Sequence, residues 1–80
     1  MKNHQLKIKY EFAKLHFQGN KNWEIRRNDR DFQEGDIIEF TITEVIDNIH
    51  KTYTRQITNV FDKEIYGLKK GYVILSIENN

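Results

Sequence analysis

The chain has 80 residues, and we expect residues 1–80 to fold as one domain with a small hydrophobic core. It has no cysteine, which excludes disulfide bonds and thiolate metal sites. Thirteen Lys and Arg against twelve Asp and Glu give a net charge of +1, so a nucleic-acid site would depend on local clustering of charge. No segment approaches the ~20 apolar residues that span a bilayer, and the N-terminus lacks the apolar part of a signal peptide. We therefore expect a cytoplasmic protein without membrane contact.

The beginning of the chain predicts a short strand followed by a helix. In residues 5–9, Leu6 and Ile8 alternate with polar neighbours, which is the pattern of a strand. Over residues 10–18 the apolar spacing changes, which predicts a helix of about two to three turns. Gly19 stands where the residue after a helix often adopts a positive φ. The apolar face of the helix would consist of Phe12, Ala13, Leu15 and Phe17.

A second alternating segment covers residues 22–27. Trp23 and Ile25 share one face of this predicted strand, and Glu24 and Arg26 share the other. Large apolar side chains are usually buried, so we expect Trp23 to lie in the core.

Three longer strands are predicted in the rest of the chain. Residues 36–46 form the longest of them, residues 53–61 return beside it, and residues 72–78 form the last strand. Their inward-facing residues would include Ile38, Phe40, Ile42, Val73, Leu75 and Ile77. The connecting loops would cover residues 28–35 around Phe32, a hairpin loop at 47–51, and residues 62–71 with one short turn at 62–66.

These elements predict a mainly β (α+β) fold with about five strands and one early helix. Five strands in a short chain leave sheet edges exposed unless the sheet curls. We therefore expect a small β-barrel of about five strands, with the helix after the first strand covering one side.

The first candidate site lies at the start of the second strand. Glu24 and Arg26 are two residues apart and share a face, and Lys21 precedes them at the mouth of the strand. A carboxylate beside a guanidinium offers fixed donors and acceptors for a base edge or a phosphate. The alternative is a surface ion pair that contributes well under about 1 kcal/mol to stability.

The polar turn that follows extends this candidate site. The turn begins with Arg27 and Asn28 and continues to Arg30. Three arginines, Arg26, Arg27 and Arg30, thus fall within five positions, and such a cluster can bind phosphates. Residues 21–36 nevertheless hold four cations and five anions, so a salt-bridged turn is the alternative. Tyr72 could stack on a base or pack at the rim of the barrel.

The histidines give no sign of a metal site. His4, His16 and His50 are not spaced as ligands, so we expect solvated or capping residues, with no metal and no cofactor. No Ser-His-Asp arrangement is evident either.

Taken in order, these segments resemble an ASCH domain of the PUA-like superfamily, and in particular the bacterial and phage group DUF3850. The resemblance covers nearly the whole chain. It rests on His4-Gln5-Leu6-Lys7-Ile8, Gly19-x-Lys21-x-x-Glu24-x-Arg26, Arg27-Asn28-Asp29-Arg30, Phe32-Gln33-x-Gly35-Asp36 and Tyr66-Gly67-Leu68-x-x-Gly71-Tyr72-Val73-Ile74-Leu75-Ser76-Ile77.

The resemblance implies a PUA-like β-barrel and a cleft between helix and barrel, lined by Lys21, Glu24 and Arg26. ASCH domains are proposed to bind RNA by analogy with PUA domains. One ASCH branch hydrolyses acylated cytidines with a Lys, a Thr on the same strand and a later Glu. Glu24 stands where we align that Thr, so the chain departs from the hydrolase pattern.

Three functions follow as hypotheses. The expected one is binding of RNA or a nucleotide-like ligand, with Lys21 and Arg26 on phosphate or a carbonyl and Glu24 on an exocyclic amine or on Arg26. In this scheme Arg27 and Arg30 add contacts to the nucleic-acid backbone. The second is an enzyme of the ASCH amidohydrolase type, with Lys21 and Glu24 as a base–acid pair. The third is a protein-interaction or regulatory module of a mobile element.

Overall fold

The computed structural model describes residues 1–47 and 51–79 of the chain. These residues form five strands and one helix, which confirms the predicted fold class. The elements are β1 (Asn3–Ile8), α1 (Tyr10–Phe17), β2 (Trp23–Arg27), β3 (Ile37–Ile42), β4 (Thr52–Phe61) and β5 (Tyr72–Glu78). None of the described residues belongs to a helix that is long and apolar enough to cross a membrane.

The five strands form one curled sheet in the order β1-β3-β4-β5-β2. β1 runs parallel to β3, whereas the other neighbouring strands are antiparallel. The sheet is a half-barrel, and β1 and β2 are its two end strands. The two ends of the sheet approach each other, since Arg26 of β2 donates to the Lys7 carbonyl of β1, and α1, which connects these strands in the chain, lies beside them.

The core lies on the concave face of the half-barrel. The alternating residues of β3 and β5 point inward as predicted, because successive side chains of a strand face opposite sides. The buried apolar side chains are Leu6, Ile8, Ala13, Phe32, Ile38, Phe40, Ile42, Ile57, Val73, Leu75 and Ile77. Phe32 thus anchors the polar turn between β2 and β3 in this core.

The longest strand is β4, with ten residues, and the prediction that residues 36–46 would be longest is wrong. β3 ends at Ile42, after six residues. The chain bends at Glu44, whose Oε1 accepts hydrogen bonds from the Thr43 hydroxyl and the Tyr10 backbone N–H. Glu44 therefore caps the N-terminus of α1 from a distant part of the chain. The predicted hairpin loop at 47–51 lies largely outside the described residues.

The end of α1 follows the prediction, but its buried face does not. Gly19 has a φ of 74° and donates its N–H to the His16 carbonyl, while Asn20 donates to the Leu15 carbonyl. This pair of bonds is a Schellman motif. The side chains that the helix buries are Ala13 and His16, whereas Phe12 and Phe17 are both 43% exposed.

β2 also differs from the prediction, because Trp23 lies on the outer face of the sheet and not in the core. Glu24 pairs with Leu75 and Arg26 with Val73, and both β5 partners face the core. Cross-strand partners share a face of the sheet, so the charged pair points inward. Trp23, at 44% exposed, and Ile25, at 48%, lie on the outer face.

The loop from residue 62 to residue 71 makes its turn later than predicted. The Leu68 N–H donates to the Ile65 carbonyl at 3.1 Å, which closes a turn centred on Tyr66 and Gly67. Both central residues have positive φ, 56° and 84°. The predicted turn at 62–66 is therefore wrong in position.

Candidate functional site

A cleft of about 420 Å³ opens where β1, β2 and α1 meet. We call it the seam cleft. Its lining residues are Lys7, Ile8, Lys9, Phe12, Lys21, Trp23, Glu24, Ile25 and Arg26. The structure thus brings together Lys21, Glu24 and Arg26, the three residues singled out first in the sequence.

Glu24 is the centre of the polar network in the seam cleft, and its side chain is only 6% exposed. Lys21 Nζ donates to Glu24 Oε1 at 2.5 Å, and Arg26 Nε donates to Oε2 at 3.2 Å. His16 Nε2 also lies 2.9 Å from Oε1. Three basic side chains therefore surround one buried carboxylate.

This environment keeps Glu24 ionised. Burial alone raises the pKa of the Glu24 carboxyl, because it disfavours the charged form. The contacts with His16 and Lys21 and the charge of Arg26 act in the opposite direction and together hold the pKa below its usual value. Glu24 is accordingly a fixed anion that orients the cations around it.

A second buried contact links His16 to β4. His16 Nδ1 lies 2.7 Å from the Tyr53 hydroxyl, and the imidazole packs against Phe40 with ring centroids 5.2 Å apart. Burial, followed by the nearby charge of Glu24, raises the pKa of Tyr53, so its hydroxyl stays protonated. A hydroxyl that donates to Nδ1 leaves the imidazole N–H on Nε2, toward Glu24.

Two aromatic rings flank Lys21 at the opening of the seam cleft. Its Nζ lies 5.3 Å from the centroid of Phe12 and 4.9 Å from that of Trp23, which are cation–π distances. Both rings are more than 40% exposed. The seam cleft therefore presents apolar ring faces to solvent beside a fixed ammonium.

The charges of the seam cleft are mainly positive. Of its lining residues, four are cationic and one is anionic, which gives a local charge of +3. The contrast with the +1 of the whole chain shows that charge is concentrated here. Lys7 and Lys9 are exposed at the rim, where they are accessible to an anionic ligand.

Two of the predicted site arginines connect β2 and the turn after it to β1. Arg26 Nη2 donates to the Lys7 carbonyl at 3.1 Å, and Arg30 Nη1 donates to the Gln5 carbonyl at 2.7 Å. Both carbonyls belong to β1. Side chains thus connect the two end strands, and these donors are already engaged within the protein.

The remaining predicted site residues lie elsewhere. The Arg27 guanidinium is 5.8 Å from the ring of Tyr72 on the outer face of the sheet. Asn28 Oδ1 accepts a hydrogen bond from the Phe32 backbone N–H, and the Asn28 backbone N–H donates to the Gly71 carbonyl. Asn28 therefore holds the turn after β2 in place, and Arg27 and Tyr72 are separated from the seam cleft.

A comparison with family models assigns the chain to a family. The family model described as "Domain of unknown function (DUF3850)" matches residues 3–77, which include all of the strands except the last residue of β5. The chain belongs to the DUF3850 family. A search of curated proteins found no match.

Two residues of this DUF3850 domain were missed at the sequence level. His16 and His4 were expected to be solvated or capping residues, but both are buried, at 4% and 6% exposed. His4 Nε2 contacts Asp36 Oδ2 at 2.8 Å, and His16 joins Glu24 to Tyr53. The available signal for His16 was its spacing of three from Ala13, which places both on one helical face.

His50 lies outside the described residues. Among residues 1–47 and 51–79 of the DUF3850 domain, no group of three His, Cys, Asp or Glu side chains could hold a metal ion.

Proposed function

We propose that this domain binds a nucleotide or single-stranded RNA in the seam cleft. The observation that carries the proposal is that four cations and one buried carboxylate line this cleft, beside two exposed aromatic rings. Phosphates attract clustered Lys and Arg side chains, and bases stack on exposed aromatic rings. The finer assignment to ASCH domains of the PUA-like superfamily, acting in the cytoplasm of bacteria or their phages, belongs to the same proposal.

The contacts within the seam cleft suggest a division of roles. Glu24 holds Lys21 and Arg26 in fixed directions, so their remaining donors are pre-organised for a ligand. Lys7, exposed at the rim, supplies a contact to phosphate. Trp23, with its ring partly exposed, stacks on a base.

The first test is a titration of isotope-labelled protein followed by amide chemical shifts. The probes are uridine and adenosine monophosphates and short single-stranded RNAs at low salt, because phosphate contacts weaken steeply as salt rises. We expect saturating shifts at residues 7–9, 12 and 21–26. Absence of shifts with all of these probes would refute the proposal.

A matched pair of variants tests the charge at the rim. Lys7→Gln removes a cation of the seam cleft, whereas Lys63→Gln removes an exposed cation of the 62–71 loop that does not line it. We expect Lys7→Gln to weaken RNA binding and to reduce the salt slope of log K by about 1. The Lys63→Gln control should bind as the unmodified protein does, and equal losses in both variants would show non-specific attraction.

A double alanine variant at Lys21 and Arg26 is a poorer test. Glu24 would lose both hydrogen-bonded cations while its side chain stays 6% exposed. Leaving a buried charge without its partners destabilises a protein strongly. Loss of binding could then reflect unfolding, whereas the Lys7 side chain is exposed and its removal leaves the buried network intact.

A further inference from the structure

A second cavity, of about 590 Å³, lies on the outer face of the same sheet. We call it the outer groove. The 62–71 loop folds beside β4, β5 and β2 to form it, and the lining residues that matter here are Ile25, Phe61, Ile65, Tyr66, Lys69 and Tyr72. Its volume falls within the range of about 300–1,000 Å³ that is typical of ligand pockets.

The outer groove adjoins the seam cleft at β2. Ile25 lines both cavities, and it is 48% exposed between them. The two cavities therefore meet at β2, the strand that carries Ile25. A ligand with more than one unit can occupy both.

Tyr66 stands at the edge of the outer groove in an unfavourable conformation. Its φ is 56° and its side chain is 97% exposed. Left-handed backbone is disfavoured for a bulky residue, and such outliers often lie at binding sites. An Asn would adopt this backbone conformation at lower cost. A ligand that stacks on the exposed ring would explain why a tyrosine occupies the position.

The charge of the outer groove favours an anionic ligand. Lys69 lines it, and Arg27 stacks on Tyr72 at its border. No carboxylate lines it among the described residues. The exposed ring of Tyr66 beside these cations, with no lining carboxylate among the described residues, suits a base and a phosphate of a nucleic acid strand.

We infer that the outer groove binds a second nucleotide of a single-stranded RNA whose first nucleotide occupies the seam cleft. The inference rests on the proposed function and extends it from a mononucleotide to an oligonucleotide. Tyr66 stacks on the second base, Lys69 contacts its phosphate, and the chain of the ligand crosses β2 at Ile25.

The test compares ligands of different length in matched variants. Binding of a fluorescent hexauridine RNA and of uridine monophosphate is measured for the unmodified protein, for Tyr66→Asn with Lys69→Gln, and for the control Lys63→Gln. Asn tolerates the positive φ at position 66, so the double variant should fold at least as stably. We expect it to bind the hexamer about tenfold more weakly, while monophosphate binding and the control remain unchanged.

Three outcomes would contradict the inference in different ways. If the hexamer loses no affinity in the double variant but the monophosphate still binds in the seam cleft, the outer groove is unused and the proposed function stands. If neither ligand binds the unmodified protein, the proposed function fails together with the inference. If light scattering shows a dimer that Tyr66→Asn converts to a monomer without changing RNA affinity, the outer groove belongs to a second copy of the chain.

Discussion

Glu24 is the residue on which the seam cleft depends most. Its carboxylate accepts from Lys21 and Arg26 and contacts His16, so replacing it removes several charge-assisted interactions at once. We expect Glu24→Gln to lower the free energy of unfolding by about 2 kcal/mol, because hydrogen bonds to charged groups contribute about 1.5–3 kcal/mol. Urea denaturation measures this loss.

The control for this prediction is Glu64→Gln. Glu64 is exposed in the 62–71 loop, and exposed substitutions usually change stability by less than about 0.5 kcal/mol. Equal stability of the two variants would show that the network around Glu24 contributes nothing to the fold.

The sequence predicted which residues line the seam cleft better than it predicted which of them are buried. Lys21, Glu24 and Arg26 were identified from their spacing, and all three line the seam cleft. Hydropathy placed Trp23 inside, but the register with β5 turns Glu24 inward instead. A charged residue can be buried when a partner comes from another element. Here His16 of α1 lies beside Glu24, and the His16 imidazole in turn contacts Tyr53 of β4, 37 residues further along the chain. Local patterns contain no information about such pairing.

At the scale of elements, the end of α1 sets the position of Lys21. Gly19 has a φ of 74°, and a Cβ added there would meet no atom within 4 Å. Gly19→Ala therefore introduces backbone strain alone, and we expect a loss of about 1–2 kcal/mol in the free energy of unfolding. Thermal or urea unfolding measures it.

Gly19→Asn is the matched variant for this position. Asn adopts left-handed backbone more readily than Ala, so it should lose clearly less stability than Gly19→Ala. The reverse order would mean that the side chain, and not the backbone conformation, determines the effect.

The strands differ in how well their sequence predicts them. β3 and β5 lie inside the sheet order and alternate regularly, so Phe40 and Leu75 were placed correctly in the core. β2 is an end strand whose outward residues, Trp23, Ile25 and Arg27, are exposed, while Glu24 is buried on its inner face, so hydropathy alone assigns its two faces wrongly. The early end of β3 depends on Glu44, which caps a helix more than 30 residues earlier in the chain. Alternation alone could not show that contact.

At the scale of the whole molecule, side-chain hydrogen bonds tie the N-terminus, the end strands of the sheet and the turn after β2 to one another. Arg26 and Arg30 connect β2 and the following turn to β1. Asp36, only 2% exposed, accepts from the backbone N–H groups of Lys2 and Gln33 and contacts His4. It therefore ties the N-terminus and β1 to the entry of β3.

This role of Asp36 predicts how stability depends on pH. Burial alone raises its pKa, but the hydrogen bonds from Lys2, His4 and Gln33 outweigh burial and lower the pKa below the ordinary 3.8. The pKa of Glu24 is likewise held below its ordinary value of 4.5. As pH falls below these values the unfolded chain takes up protons before the folded one, so stability is lost from about pH 4.5 downward and is fully present above it.

Asp36→Asn should separate this contribution from the rest. At neutral pH we expect the variant to be about 2 kcal/mol less stable, because it loses charge-assisted hydrogen bonds. Between pH 4.5 and acid unfolding its melting temperature should fall less steeply than that of the unmodified protein, since one lowered carboxyl is gone. Asp62→Asn, at an exposed residue, should leave the pH profile unchanged. Parallel profiles for Asp36→Asn and the unmodified protein would mean that the acid sensitivity arises elsewhere, with Glu24 as the remaining buried carboxylate to test.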